Sequence, residues 1–391
     1  MPTPLELASL LVAIPSVNPM GGQGEGPEFF EERLTDALIG LLRDWGIPHE
    51  VHSVAPRRAN VLARFEADPG RPTLLWEVHQ DTVPTEGMTI APFRPEVRDG
   101  RLFGRGACDV KGGMAAMLSA FERLARERPA RAANVVLACT CDEEATQLGV
   151  RDLVRLWGDD RGRSRLLADP PAAALIAEPT NLDVVVAHKG ATRWAIRTTG
   201  RACHSSDPSR GINAIYRMAK VLAALEACAA KLPSSRPAHP LCGPATLSVG
   251  RIRGGQSVNI VPDECEIEVD RRSIPGEDPA QVRDELMAAV RDSVDFEVEA
   301  GAPWIAASPL GDEQNGPLAE RLLAAIQPIA GVRRKLGVAY GTDASTIAAA
   351  GVPSVVFGPG SIAQAHTVDE WLPIAELDAA AEILFHLAAD R

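Results

Sequence analysis

The segment EVHQDTVP, residues 77 to 84, closes an apolar run with a histidine and an aspartate two positions apart, His79 and Asp81. In an extended strand that spacing turns both side chains to one side. A carboxylate so placed can hold the second ring nitrogen of a metal-bound imidazole, although a polar strand end would read the same way. Further on, GRGACDVKGG (104–113) sets Asp109 in a glycine-rich turn ahead of a helix, where an acid can ligate a metal or merely cap the helix. TCDEEATQLG then puts Glu143 and Glu144 side by side at the end of a hydrophobic run. Adjacent carboxylates repel unless cations or protons intervene. They can also divide labour, one on a metal and the other taking a proton from water, while a solvated turn is the plain alternative. Glu178 follows another apolar run, and His366 lies in the glycine-rich loop GPGSIAQAH.

The elements that must position these groups are legible from periodicity. NVLARF (60–65), TLLWEV (73–78), NVVLACTC (134–141), AALIAE (173–178) and PSVVFG (353–358) are short, nearly continuous apolar runs, the pattern of strands buried on both faces. Residues 27–46 and 111–128 repeat apolar side chains at helical spacing. Strands alternating with helices predict an α/β catalytic domain built on a mostly parallel sheet flanked by helices. The stretch from about 190 to 305 reads instead as β-α-β-β-α-β, a ferredoxin-like unit inserted into the first. The expected division is 1–188 with 306–391 for the metal-binding domain and 189–305 for the insert, with 158–171 a surface loop. In open α/β sheets ligands sit beyond the carboxyl ends of the strands, and His79, Asp109, Glu144, Glu178 and His366 all fall there. One bridging carboxylate with a histidine and an acid on each side makes a mixed nitrogen and oxygen site, suited to a pair of Zn²⁺ or similar divalent ions.

Bulk properties narrow the function. The 391 residues are 46% hydrophobic with a formal net charge of -12, which suits two globular domains and argues against nucleic acid or an anionic membrane as partner. No apolar stretch reaches the length of a membrane span and no leader-like N-terminal run is visible, so a cytoplasmic protein is expected. Seven scattered cysteines without C-x-x-C spacing suggest free thiols rather than a disulfide framework.

From the Ser16-Val17-Asn18-Pro19 segment to His366, the chain resembles the M20 metallopeptidases and deacylases. EVHQDTVP, GRGACDVKGG, CDEE, AEPTNLDVVVAHKG, GRACHSSDPSRGINAI, GGQSVNIVPD and GPGSIAQAH carry the likeness. The resemblance implies that His79 and Glu178 hold one metal, that Glu144 and His366 hold the other, and that Asp109 bridges them. The expected ions are two Zn²⁺, with Co²⁺ able to substitute. It further implies that Asp81 orients His79, that Glu143 is the general base, and that the insert is a lid and dimerisation domain. His204 of a partner subunit would stabilise the transition state. Asn259, Arg272, Gly341 and Thr342 look like substrate contacts by the same resemblance, although Arg272 reads equally well as half of an ion pair at a strand end. Val110 after Asp109 departs from the family's usual Met, an apolar exchange.

The implied activity is hydrolysis of the amide bond of an N-acyl amino acid. The run from Glu178 to Ile215 and the GPGSIAQAH loop look most like the family's acetylornithine-deacetylating branch, which releases acetate and a free amine. Desuccinylation of a succinyl-diaminopimelate type of substrate is less well matched, because YGTDAS lacks an arginine for a second carboxylate. Dipeptide or carboxypeptide cleavage with the same metals is a further alternative, and a non-catalytic metal-binding dimer a remote one. A homodimer acting on a small molecule is the expected assembly.

Overall fold

A computed structural model describes residues 2–390, so Met1 and Arg391, the outermost positions of the expected first domain, lie outside the described residues. The chain divides into two compact units. One runs up to Val186 and adds Asp312–Leu336 and the chain from Thr342 onward, while the other comprises Ala187–Gly311 and Gly337–Gly341.

The first unit is organised by an eight-stranded sheet in the order His49–Ala55, Arg58–Phe65, Asn134–Thr140, Thr73–His79, Ala173–Ile176, Ser354–Val356, Val184–His188 and Lys335–Val338, the last two strands belonging to it as far as Val186 and Leu336. From Asn134–Thr140 across to Ser354–Val356 the pairing is parallel. Toward one edge Arg58–Phe65 and His49–Ala55 run antiparallel, and Val184–His188 is antiparallel to Ser354–Val356. The expected parallel sheet is therefore its centre. Apolar runs report burial on two faces but not strand direction, and the short link from Ala55 to Arg58 is a hairpin that can only reverse the chain.

Helices Gly112–Glu127 and Ile374–Ala389 bury Met114, Met117, Phe121, Leu377, Leu384 and Phe385 in one core with Trp76 and Leu137 of the sheet. Burying one such large side chain contributes roughly 1.5–3 kcal/mol. The helix expected over 27–46 begins later, at Glu32, because Phe30 adopts a left-handed backbone (φ 67°). It ends at Asp44, with Gly46 in the left-handed region just beyond (φ 66°).

The second unit carries an antiparallel sheet ordered Thr246–Gly254, Glu264–Ser273, Gly190–Thr199 and Glu299–Ala300, with Ile305–Ala307 also pairing to Gly190–Thr199. Helices Ala214–Ser235 and Pro279–Asp292 supply Met218, Val221, Leu225, Met287 and Val290 to a core with Trp194, Ile196, Ile267 and Val269. This is the β-α-β-β-α-β order read from the sequence. Among the described residues no helix is long and apolar enough to cross a membrane.

Candidate metal centre

Because the central strands are parallel, their carboxyl ends open on one side of the sheet. His79 is the last residue of Thr73–His79, Glu178 follows Ala173–Ile176 by two residues, and Glu143 and Glu144 follow Asn134–Thr140. Asp109 sits in the irregular turn Ala107–Lys111 that leads into the helix from Gly112, and His366 lies in the loop after Ser354–Val356 with a left-handed backbone (φ 62°).

These side chains converge. His79 Nε2 is 3.2 Å from Asp109 Oδ1 and 3.8 Å from Glu178 Oε1. On the other side, His366 Nε2 is 3.3 Å from Asp109 Oδ2 and 3.2 Å from Glu144 Oε2. Asp109 thus offers one oxygen to each histidine. Ligand atoms of His79, Glu143 and Glu178 lie within 4.8 Å of one another, and so do those of His79, Asp109 and Glu144. His79, Asp109 and Glu178 are buried, Glu143 and Glu144 partly so, and His366 is half exposed, with 52% of its side chain open to solvent.

The electrostatics follow from packing these groups together. Burial pushes the Glu144 carboxyl up to about 7, with the charge of Asp109 adding to it and the hydrogen bond from His366 opposing. Glu178 is driven well above the carboxylate range by burial and then by Asp109. Glu143 is raised likewise by burial, with Asp343 and Glu144 adding like charge against the pull of His79. For Asp109 burial also acts upward, but the hydrogen bonds of His366 and His79 win and hold it below its usual range. Hydrogen bonds to Asp109 and Glu144 raise His366 to about 10. Burial alone would lower His79, yet Asp109, Glu178 and Glu143 outweigh it and keep its pKa well above the usual value. Four carboxyls and two imidazoles packed this tightly fit divalent cations: the cations would neutralise the acids, and the donors are the nitrogen and oxygen set that borderline ions take.

The orienting contacts differ from expectation in one respect. Nδ1 of His79 donates to the main-chain carbonyl of Asp81 at 2.9 Å, leaving Nε2 facing the acids, while the Asp81 carboxylate stands 3.7 Å from that nitrogen. Asp81 therefore orients His79 through its backbone. Its carboxylate does other work, accepting the N–H groups of Glu143 (3.0 Å) and Glu144 (3.1 Å) and so fixing the turn that carries both.

The remaining expected contacts are placed as follows. His204 is exposed in the second unit, on a short strand paired with Ile260–Val261, its Nδ1 2.7 Å from Ser206 Oγ. Asn259 Oδ1 accepts from Ser257 Oγ at 2.6 Å. Arg272 is bound through two nitrogens to Asp270, at 2.7 and 3.2 Å, so the ion-pair reading describes its contacts within this unit. Gly341 closes the second unit, and Thr342, buried in the first, accepts from Ala344 N. Next to it Asp343 is buried with neither carboxyl oxygen hydrogen-bonded.

Two groups of residues escaped the sequence reading. Asn18, Glu31, Arg58 and Asp142 form a buried polar network beneath Asp81. Glu370, four residues after His366, accepts from the main chain of the Asp109 turn. The only sequence signal was Asn18 within the family-like Ser-Val-Asn-Pro segment, since contacts to main-chain N–H groups leave no spacing pattern.

The model for "Peptidase family M20/M25/M40" matches residues 75–390. Over 99% of its length the chain is 31% identical to the acetylornithine deacetylase of Proteus mirabilis (strain HI4320), covering 96% of that protein. Its fold is similar to that of an M20 family metallo-carboxypeptidase from Sulfolobus solfataricus (TM-score 0.79, 17% identity, 100% of this chain and 99% of that one). It is likewise similar to a dinuclear metal-binding peptidase of the same family from Bacillus subtilis (TM-score 0.66, 17% identity, 99% and 97% covered).

Proposed function

The chain belongs to peptidase family M20/M25/M40 and is a metal-dependent amidohydrolase, and on that premise we propose that it removes the acyl group from N-acyl amino acids, with N-acetylornithine-type compounds as the substrate class. The observation that carries the reading is Asp109, whose two oxygens face two different histidines, each backed by a further acid.

The residues that would hold two ions are His79 and Glu178 on one side and Glu144 and His366 on the other, with Asp109 between. Zinc suits this donor set and Co²⁺ can replace it. Such ions supply an acidified water and a polarised amide carbonyl. Glu143, whose carboxyl is pushed up by burial, takes the proton of the attacking water and delivers it to the departing amine nitrogen. Asp81 keeps Glu143 in place through its main-chain N–H. Arg272, Asn259, Gly341 and Thr342 are the substrate contacts that the family resemblance assigns, and at Arg272 a substrate carboxylate would compete with Asp270. His204, supplied by a second copy of the chain, stabilises the oxyanion. Seven free cysteines fit a cytoplasmic setting.

A panel of N-acetyl, N-succinyl and dipeptide substrates tests the assignment, with acetate, succinate and amino acid release measured separately. Acetate release from N-acetylornithine faster than any other turnover is expected. Preferred dipeptide cleavage would replace the substrate class while keeping the centre. Glu143→Ala should abolish turnover with two zinc ions still bound, and an active variant would remove the proposed base. Sedimentation of the active protein checks the dimer, which a fully active monomer would refute.

A further inference from the structure

Glu370 lies outside the set of residues proposed to bind metal or substrate, yet it is fully buried and both of its oxygens are engaged. Oε2 accepts from Arg105 Nη1 at 2.6 Å and from the main-chain N–H of Gly106 at 3.0 Å. Oε1 accepts from the N–H groups of Cys108 and Asp109, each at 2.9 Å. Burial raises the pKa of this carboxyl, while the Asp109 N–H and Arg105 pull it back.

We infer that Glu370 is a positioning residue that presets Asp109 and His366 for the metal pair by gathering the N–H groups of the turn that carries Asp109. The inference rests on the two-metal reading above.

Three of the four donors are main-chain groups of the segment Gly106–Asp109, which has no regular helix ladder to fix it. Asp109 itself has non-helical angles (φ -121°, ψ 91°); Lys111 N closes the turn on the Gly106 carbonyl at 2.7 Å, while the Asp109 N–H finds its partner outside the turn. Glu370 supplies it from the far end of the chain. The segment that carries it is in turn sewn to the same region: Gly104 N donates to the Glu370 carbonyl at 3.1 Å, Thr89 N to Val368 O at 2.8 Å, and Trp371 pairs with Phe103. His366 stands four residues before Glu370. One carboxylate thus ties the loop bearing an imidazole to the turn bearing the acid between the two histidines, and the 3.3 Å from His366 Nε2 to Asp109 Oδ2 is set across that tie.

A carboxylate is required here because all of its partners are donors. A glutamine of the same size would turn an amide N–H₂ toward either two backbone N–H groups or Arg105 and Gly106. The turn would have to move, and Asp109 would move with it.

The test is zinc binding by the full-length chain, stripped of metal and titrated against a chromophoric chelator, with thermal unfolding of the same stripped samples alongside. Wild type is expected to bind two zinc ions, and Glu370→Gln to bind at least one of them ten-fold or more weakly, with kcat recovering in part at high zinc. Glu370→Asp, which keeps both oxygens and the charge, should fall between the two. Should Glu370→Gln give no soluble protein, Glu370→Asp alone decides. Arg105→Met leaves the three main-chain contacts in place and should bind zinc within about three-fold of wild type.

Unchanged zinc affinity in the Glu370 variants, with only the unfolding temperature lowered, would overturn the inference. So would Arg105→Met weakening zinc as much as Glu370→Gln, which would make the contact an ordinary ion pair. A wild-type chain that takes up no zinc would refute the two-metal reading itself, an outcome distinct from either of these.

Discussion

The side-chain amide of Asn18 donates to Asp81 Oδ2 at 2.8 Å and to Asp142 Oδ1 at 2.9 Å, joining two buried carboxylates through one nitrogen. Its oxygen accepts from Met20 N at 2.9 Å and from Arg58 Nη2 at 3.3 Å. Arg58 is itself paired with Glu31 (2.7 Å) and Asp142 (2.8 Å). Asp81 then holds the N–H groups of Glu143 and Glu144. The order of the proposed base and of one proposed metal ligand therefore runs back, bond by bond, to a residue near the start of the chain.

Asn18→Asp should break this chain of hydrogen bonds at its first link. The exchange is isosteric but sets a third acceptor against two carboxylates, and leaving buried polar groups unpaired in this way costs about 2–4 kcal/mol. We expect urea unfolding to show a loss of that size and kcat to fall at least ten-fold at saturating zinc. Asn18→Asp with wild-type kcat and stability would show that the turn is held by its own backbone.

Removing metal exposes a proton linkage whose sign follows from the site. In the stripped protein His366 keeps its proton up to about pH 10 and Glu144 up to about pH 7, while His79 is also held protonated above its usual range. Ligation needs these atoms free of protons. Zinc binding at pH 8 should thus release protons from the histidines, and affinity should weaken as pH falls, more steeply below 7 where Glu144 joins them. Calorimetry in buffers of different ionisation enthalpy counts the protons. Affinity that stays flat from pH 8 to 6 would contradict the linkage. Zinc at a thousand times its dissociation constant should stabilise the fold by about 4 kcal/mol.

What could be read from the sequence follows from where each residue's partners lie. His79, Glu144 and Glu178 stand out because each ends an apolar run, and a parallel sheet brings such ends together whatever the loops do. Asp109 and His366 are marked by the glycines around them. The antiparallel pairing of Arg58–Phe65 is not legible, because burial on both faces looks the same in either direction. Glu370 is invisible for a different reason: it acts on main-chain N–H groups more than 250 residues away. Arg58 reads as an ordinary strand residue until the fold buries it against Glu31 and Asp142.

His188 offers a pH test away from the centre. It is fully buried, with Nδ1 2.9 Å from the Lys189 carbonyl, and burial lowers its pKa from 6.5 to about 4. The folded state therefore holds it neutral while the unfolded chain takes up a proton below 6.5. Stability from this group is complete above pH 6.5, declines as pH falls, and is gone below about 4, a total of about 3 kcal/mol. Replacing it with glutamine should flatten that part of the acid dependence. Parallel slopes for wild type and His188→Gln between pH 6.5 and 4 would place the titration elsewhere.

Two neighbouring glycines make a steric comparison beneath Asp109. A Cβ on Gly112 would run into Leu372 Cδ2 and come within 2.5 Å of the Ala107 carbonyl, whereas one on Gly113 would stand 3.1 Å from Ala177 Cβ and Val110 Cγ2. Both positions are helical, so alanine would gain up to about 1 kcal/mol from propensity if space were open. At Gly113 this gain is set against a push of a few tenths of an ångström on Val110 Cγ2 and on Ala177 Cβ, which moves only with its backbone, and Gly113→Ala should lie within about 1 kcal/mol of wild type. At Gly112 the obstacle includes backbone of the Ala107–Lys111 turn, which must shift and take Asp109 with it. Gly112→Ala should cost about 2–3 kcal/mol in urea unfolding and weaken zinc binding several-fold in the same titration used for Glu370. A Gly112→Ala protein as stable as Gly113→Ala, with zinc affinity intact, would show that the turn has room the geometry does not provide.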